Sequence, residues 1–263
     1  MKLNLNTCTG PGRGVIFALT KDADADVDID IILSLPAGKQ CVIEWGDTNI
    51  SVVTGPQVET TYNHVYGDAN AYQINITGSL DSITYFTCTD EPISGNINQF
   101  ATLTSLAILS LYSTSVSGDI ADIATLTSLA ILYLYNTSVS GDIVDIATLT
   151  SLTDLSLYST SVSGDIADIA TLTSLVTLYL YSTSIDTYTQ GVLPDWDVCN
   201  ISIQDLGLSE QEVDDFLCDL NTASSASEEA LNISGTNAAP SGTGEDCETA
   251  LELKGWTVTI TGE

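Results

Sequence analysis

The chain has 263 residues, a formal net charge of −30 and only five basic residues, and these values exclude several classes of partner. No Lys or Arg occurs between residues 40 and 253, so the cationic contacts that nucleic acids and anionic membranes require are absent there. No apolar run is long enough to span a membrane. Residues 1–20 lack the apolar run of a secretory signal, so we expect no leader; a leader already removed is the alternative.

The first part of the chain, residues 1–79, contains no repeat and predicts a small β-sandwich. Short apolar segments separated by Gly, Pro and Asn are typical of such folds. The predicted strands cover 14–19, 27–35, 41–45, 51–53 and 71–77. Five acidic residues alternate along or just before the second strand: Asp22, Asp24, Asp26, Asp28 and Asp30. We expect these side chains to form a solvated edge that resists sheet pairing, with a calcium site as the alternative.

Two motifs in this part resemble PKD-type domains, which are an immunoglobulin-like family. The first is the turn formed by Trp45, Gly46 and Asp47, and the second is the later pair His64 and Tyr66. The resemblance implies a spacer or adhesion module that performs no chemistry. Within it, we expect His64 to be packed and hydrogen-bonded rather than to act as a catalytic base.

Residues 94–185 are four consecutive copies of one 23-residue unit, and such a period predicts a solenoid. The apolar pattern L-x-x-L-x-x-L-x-L-x-x-T-x-V resembles the leucine-rich repeat, and the Ser-Gly-Asp-Ile segment resembles its plant-like subclass. The register extends one period in each direction, which predicts six coils over residues 80–208. We expect parallel strands at 86–88, 109–111, 132–134, 155–157, 178–180 and 201–203. Short helical or 3₁₀ turns should form the convex side, for example over 120–129.

One position departs from the leucine-rich-repeat pattern, because Thr replaces the usual Asn in all four copies. In the family, that Asn bonds the backbone of neighbouring coils, and we expect the Thr hydroxyl to do part of this. The four positions are Thr114, Thr137, Thr160 and Thr183.

Residues 209–263 predict an α/β cap that continues the parallel sheet. A capping box of Ser209 and Glu212 begins a helix of about 209–221, and Thr243 and Asp246 should cap a second helix that ends at Lys254. Strands are expected at 230–233 and 256–261. The ending resembles leucine-rich proteins of bacteroidete bacteria and their phages. The predicted fold class is therefore mainly β: an immunoglobulin-like sandwich, a leucine-rich-repeat solenoid and a βαβ-type cap.

Tyrosines recur at the outward positions of the repeat strands and form the first candidate binding site. They should share one concave strip, which suits a glycan or a protein edge, while simple stacking across strands is the alternative. The six residues are Tyr112, Tyr133, Tyr135, Tyr158, Tyr179 and Tyr181.

Acidic residues also recur with the repeat, at Asp119, Asp142 and Asp165. Like charges on adjacent coils lie about 5 Å apart and repel, so something must offset them. Capping of the convex turns is one explanation, and calcium binding is the other, since oxygen ligands suit this ion. No other cofactor is expected.

The six cysteines contain no C-x-x-C pair, and His64 is the single histidine, so zinc and Cys–His chemistry have little support. Cys218 and Cys247 fall on the two predicted cap helices and could form a disulfide. Cys88 takes an inward strand position, where we expect a buried thiol. No nucleophile-elbow, P-loop or dinucleotide motif occurs, so we expect no enzyme.

These features together predict an extracellular structural or attachment protein of a phage virion, in a fibre, tail or head decoration. Its partners would be a host-surface glycan or protein, or neighbouring virion subunits, and we expect a homo-oligomer or a larger assembly. A secreted bacterial cell-surface adhesin is the first alternative. A scaffold that only holds subunits together is the second.

Overall fold

The computed structural model describes residues 17–21, 28–225 and 228–260, and two long β-sheets dominate this structure. Before the repeats lie β1 (Phe17–Lys21), β2 (Asp28–Leu35), β3 (Gln40–Glu44), β4 (Ile50–Thr54), β5 (Gln57–Val65) and β6 (Tyr72–Gly78). Four of these strands are adjacent in the order β1-β6-β3-β4 within one sheet, and β2 pairs with β5 in the other. Alternating burial along β2 and β3 places one face of each strand in the core.

The strand predictions for this part are confirmed where the residues are described, with one omission. Two parts of the predicted strands lie outside the described residues, namely 14–16 and 27. The same holds for three of the five alternating acidic residues: Asp22, Asp24 and Asp26. The missed strand is β5, whose residues are half-buried or exposed and show no apolar alternation. It forms the edge of its sheet, so pairing with β2 rather than burial defines it. The immunoglobulin-like identity of this part stays a prediction.

The repeats form regular coils, of which the first five have two short strands each and the sixth has one. In chain order these are β7 (Tyr85–Thr87), β8 (Ile93–Asn96), β9 (Ile108–Ser110), β10 (Ser115–Asp119), β11 (Ile131–Tyr133), β12 (Ser138–Asp142), β13 (Asp154–Ser156), β14 (Ser161–Asp165), β15 (Thr177–Tyr179), β16 (Ser184–Thr187) and β17 (Asn200–Ser202). The odd-numbered strands of this set are parallel and confirm the six predicted strands, each beginning one residue earlier.

The even-numbered strands of the coils form a second parallel sheet that the sequence pattern did not predict. The 3₁₀ turns that follow them confirm the expected convex turns, and they cover Ile97–Thr102, Ile120–Ile123, Ile143–Ile146 and Ile166–Ile169. A further 3₁₀ turn, Leu80–Ser82, comes before the first coil strand. The leucines of the coils lie between the two sheets and are almost fully buried, as are the isoleucines of the 3₁₀ turns, whereas Ile108 and Ile131 on the strands are half-buried.

The N-terminal strands extend both solenoid sheets. β2 pairs with β7 in one sheet, and β1 pairs with β8 in the other, both antiparallel. One hydrophobic core therefore runs from Leu19 to Val258. The predicted boundary between residues 79 and 80 interrupts neither sheet, and the division into domains stays a prediction.

The Thr residues at the usual Asn position act within their own coil, which corrects the expected role. Thr160 Oγ1 donates to the carbonyl of Leu157 at 2.6 Å and accepts from the amide of Val162 at 3.5 Å. The same pair of bonds recurs at Thr114, Thr137 and Thr183. At these four positions the Thr hydroxyl therefore closes the turn of its own coil.

The C-terminal cap has α1 (Glu210–Ala223), β18 (Ala230–Asn232), α2 (Gly242–Leu253) and β19 (Thr257–Thr259). Both strands continue the sheet that contains β17, in parallel, and this sheet has ten strands in all. The predicted capping box of Ser209 and Glu212 is present at the start of α1. The N-cap of α2 is Ser241, not Thr243 or Asp246, because the helix begins two residues earlier, at Gly242. Within the described residues, no helix is long and apolar enough to cross a membrane.

Candidate functional site

The outer face of the ten-stranded sheet carries the predicted tyrosines. Along each coil strand the leucines point into the core, so the residues between and after them point outward. Strand register aligns Tyr133 with Ser110 and Ser156, and aligns Tyr179 with Ser156 and Ser202. The other four tyrosines each lie two residues after the end of a coil strand and form a separate row.

Four tyrosines stack face to face along the solenoid, and we call them the tyrosine ladder: Tyr112, Tyr135, Tyr158 and Tyr181. Their ring centroids are 4.4, 4.3 and 4.3 Å apart along the series, with interplanar angles of 7°, 14° and 9°. All four tyrosines are half-buried, so part of each residue is exposed to solvent. The stacking across strands that the sequence suggested is therefore present, and binding through this strip stays a prediction.

The hydroxyl groups of the ladder form a neutral polar row. Burial, with hydrogen bonds and charges from Tyr112 and Tyr158 adding to it, raises the pKa of Tyr135 well above the ordinary value. Burial and the neighbouring Tyr158 raise the pKa of Tyr181 to about 12. These two phenols therefore stay protonated at physiological pH. A neutral hydroxyl can both donate and accept a hydrogen bond, which suits contact with a polar, uncharged partner.

The backbone turn after each ladder tyrosine fixes the ring in place. The next residue has a positive φ in every coil, with values of 54°, 53° and 55° at Ser113, Asn136 and Ser159. The amide of Ser113 donates to the carbonyl of Tyr135 at 3.0 Å, and the amide of Ser159 donates to that of Tyr181 at 3.2 Å. These bonds between coils keep successive tyrosines in register.

The two remaining predicted tyrosines lie beside the ladder rather than in it. Tyr133 is tilted by 54° against Tyr135, with centroids 6.4 Å apart. Serines alternate with Tyr133 and Tyr179 in their row, and Ser156 is only 2% exposed. The six tyrosines therefore form one four-ring stack and a second row that alternates large and small side chains.

The three repeated aspartates cap the 3₁₀ turns, as one of the two interpretations expected. The carboxylates of Asp119, Asp142 and Asp165 accept from the amides two residues later at 3.0, 3.1 and 2.8 Å. Nowhere in the described ranges do three or more His, Cys, Asp or Glu side chains form a group that could hold a metal ion. This geometry gives the calcium alternative no support at these residues.

His64 packs in the N-terminal part, as the PKD-type resemblance implies. Its ring stacks on Trp45 with centroids 4.9 Å apart and lies 2.8 Å from the carboxylate of Asp47. Burial raises the pKa of Asp47, but hydrogen bonds from Asn49 and His64 outweigh this and lower it overall. Gly46 is required in this turn, because a Cβ there would lie 2.7 Å from the Gln73 carbonyl oxygen.

The cysteines offer no reactive thiol among the residues that the structure describes. Cys218 and Cys247 are joined by a disulfide that links α1 to α2. Cys41, Cys88 and Cys199 are free but buried, and burial raises the pKa of Cys41 to about 11. A buried thiol with a raised pKa is a poor nucleophile.

No protein-family model and no curated protein matches the sequence. The chain is similar to the plant peptide hormone receptor RGFR1, solved in complex with RGF2, at 19% identity and a TM-score of 0.46. That alignment covers 67% of this chain and 32% of the receptor, so the chain spans about a third of the receptor's length. It is also similar to an internalin C2 of Listeria monocytogenes, at 18% identity and a TM-score of 0.42, covering 69% and 82% of the two chains.

A third similar structure is the leucine-rich-repeat ectodomain of the receptor kinase SOBIR1 from Arabidopsis thaliana. The identity is 19% and the TM-score 0.36, with 60% of this chain and 71% of the ectodomain covered. The coils of this chain themselves show the repeat's features: an inward leucine pair on each strand and a 3₁₀ turn opposite. The repeat region is a solenoid whose coils have a leucine-rich pattern.

Proposed function

We propose that the protein is a non-enzymatic attachment protein that binds its partner through the tyrosine ladder. The observation that carries this proposal is the stack of four half-buried rings on an open sheet face. Tyrosine supplies a large contact area at low entropic cost and a hydroxyl group for hydrogen bonding. A regular row of such side chains suits an extended partner, such as a glycan chain or the edge of another protein.

The proposed setting is a phage virion, where the protein would be part of a fibre, tail or head decoration. This setting rests on the sequence resemblance of residues 80–263 to leucine-rich proteins of bacteroidete bacteria and their phages. The net charge of −30 supports a protein that avoids anionic surfaces and stays dispersed. A secreted bacterial adhesin would use the same face, whereas a scaffold would use it only to contact neighbouring subunits.

A binding experiment with a ladder variant tests the proposal. The labelled protein is added to intact bacterial cells and to isolated surface polysaccharides, with calcium and with a chelator. We expect saturable binding that falls at least about tenfold when all four ladder tyrosines become Ser, since interface aromatics often contribute 2 kcal/mol or more each. Tyr→Phe substitution at the same four positions separates hydroxyl contacts from ring contacts.

The matched control is Val144→Ser, which changes a 44%-exposed apolar side chain on a 3₁₀ turn and leaves the ladder intact. Binding should be unchanged in this control. Equal binding by a folded four-Ser variant and the wild type would refute the ladder as the contact surface. Binding that disappears only with the chelator would restore the calcium alternative.

A further inference from the structure

A groove of about 340 Å³ opens at the C-terminal end of the tyrosine ladder. Its lining includes Tyr179 and Tyr181 from one coil, Asn200, Ser202 and Gln204 from the next, and Asn232 from β18. This volume is at the lower end of the range for small-molecule sites in proteins. The groove therefore fits one compact unit of a ligand rather than an extended chain.

The groove exists because the sixth coil breaks the tyrosine pattern. Strand register places Ser202 beside Tyr179. Gln204 takes the fifth ladder position. The amide of Ser182 donates to the carbonyl of Gln204, and this bond is equivalent to the one from the amide of Ser159 to the carbonyl of Tyr181. A fifth ring at this position would fill the groove. In the part of the chain that the structure describes, Tyr181 stacks on Tyr158 and on no other ring.

Hydrogen bonds fix the orientation of the amide groups around the groove. Asn232 Oδ1 accepts from the amide of Ser234 at 3.2 Å, so its Nδ2 group is the donor to Gln204 Oε1. Asn200 Oδ1 likewise accepts from the amide of Ala230 at 3.3 Å. Within the described ranges, the NH₂ groups of Gln204 and Asn200 therefore keep their donor capacity for a ligand.

The lining of the groove carries no charged side chain. The sequence has no Lys or Arg between residues 40 and 253, so an anionic ligand would find no counter-charge in these coils. No acidic side chain lines the groove to attract a cation. The available chemistry is one open aromatic face, several amide groups and hydroxyl groups, which matches a neutral ligand with both an apolar face and hydroxyls.

We infer that the groove binds one uncharged pyranose unit of a glycan. The apolar face of the sugar ring packs on Tyr181, and its hydroxyl groups bond to the NH₂ groups of Gln204 and Asn200. This inference rests on the proposed function, because the groove continues the ladder on the same sheet face. It adds a ligand class to that proposal: a neutral saccharide, held at the end of the ladder.

The test uses the full chain and neutral sugars: the methyl glycosides of glucose, galactose and mannose, and N-acetylglucosamine. Each is titrated at millimolar concentration while saturation-transfer NMR and chemical shifts report contact. We expect at least one sugar to give a saturable response. Gln204→Tyr supplies the residue that four earlier coils carry here, so the variant should fold and lose the response at least tenfold.

Two further variants keep the inference falsifiable. Asn200→Ala removes a hydrogen-bond donor without filling the groove, so we expect a weaker response to the sugars. This variant also provides a test if Gln204→Tyr does not fold. Val144→Ser changes a 3₁₀ turn outside the ladder and the groove, so we expect it to keep the response. The absence of a saturable response to all four sugars, or a response unchanged in Gln204→Tyr and Asn200→Ala, would overturn the inference.

The sugar titration and the cell-binding experiment can fail separately. If the four-Ser ladder variant loses cell binding but the wild-type protein gives no sugar response, the groove inference fails and the ladder proposal stands. If the wild-type protein gives the sugar response but the four-Ser variant still binds cells, the ladder proposal fails instead.

Discussion

Asn237 replaces a missing hydroxyl in the sixth coil. The position that Thr occupies in the four repeat copies is Leu206 in this coil, so the coil lacks the hydroxyl that closes its turn. Asn237, which is 2% exposed, donates to the carbonyls of Ile203 and Ile233 at 2.8 and 2.9 Å. Its Oδ1 atom accepts from the amides of Leu206 and Leu208 at 3.2 and 3.1 Å. One amide therefore joins the last repeat coil to the cap.

We predict that Asn237→Leu, which keeps a similar shape, lowers the free energy of unfolding by at least about 3 kcal/mol. The substitution leaves four buried backbone groups without their partner, and each such group costs about 1–3 kcal/mol, partly recovered by relaxation. Urea denaturation followed by circular dichroism measures the change. Thr160→Val is the control; it breaks only the two bonds within one coil and should cost about half as much.

A second substitution tests this explanation directly. In the Asn237→Leu background, Leu206→Thr restores the hydroxyl that the repeat copies carry, so it should regain part of the lost stability. In the wild-type background the same substitution should be destabilising, because it buries a second polar group beside Asn237. If Leu206→Thr changed the stability in the same direction in both backgrounds, Asn237 would not be the replacement for the Thr hydroxyl.

At the scale of elements, the second sheet shows why part of the fold escaped the sequence interpretation. Its central strands β10, β12 and β14 have the pattern Ser-Val-Ser-Gly-Asp, in which only Val is apolar, so no alternation indicates a strand. The strands form because adjacent coils pair with an offset of two positions, so that Gly118 pairs with Val139 rather than with Gly141. The leucine strands were predictable because their buried residues form a regular apolar pattern. The fifth ladder position, Gln204, also follows from the sequence, because it lies one 23-residue period after Tyr181.

Within this second sheet, three glycines lie against the capping side chain of the preceding coil: Gly118 against Asn96, Gly141 against Asp119 and Gly164 against Asp142. Gly141 has a φ of 107°, and a Cβ there would lie 2.2 Å from Asp119 Oδ1. That oxygen cannot move away freely, because it accepts the capping hydrogen bond from Ala121 at 3.0 Å. This close approach explains why the glycine of Ser-Gly-Asp recurs in β10, β12 and β14.

We predict that Gly141→Ala lowers the free energy of unfolding by about 2–3 kcal/mol, since backbone strain at positive φ and the clash with Asp119 add together. Gly207→Ala is the matched control, because Gly207 has a φ of 77° and no heavy atom within 4 Å of the added Cβ. We expect the control to cost about 1 kcal/mol, from strain alone. Chemical denaturation measures both variants, and equal losses would show that the contact with Asp119 contributes nothing.

At the scale of the molecule, the N-terminal strands protect the solenoid from an open edge. A solenoid end exposes apolar side chains and unpaired backbone groups, and both are aggregation hazards. Here β2 covers the edge of β7, and β1 covers the edge of β8. At the other end of the ten-stranded sheet, β18 and β19 with α1 and α2 extend the core. The coils between the two ends contact mainly their neighbours, so their number can vary without exposing an edge.

We therefore expect that deleting an internal coil preserves the fold and that deleting the N-terminal strands destroys it. The coil deletion is tolerated although it removes part of the binding face. Removing residues 117–139 takes out one complete 23-residue coil and joins two matching positions of the repeat. We expect this variant to keep cooperative unfolding and the oligomeric state of the full chain, with a ladder one ring shorter. Removing residues 1–79 exposes the edges of β7 and β8. We therefore expect aggregation, measured by light scattering, and loss of cooperative unfolding. A soluble, cooperatively folding protein after the second deletion would instead show that the chain divides at residue 79 into independent domains.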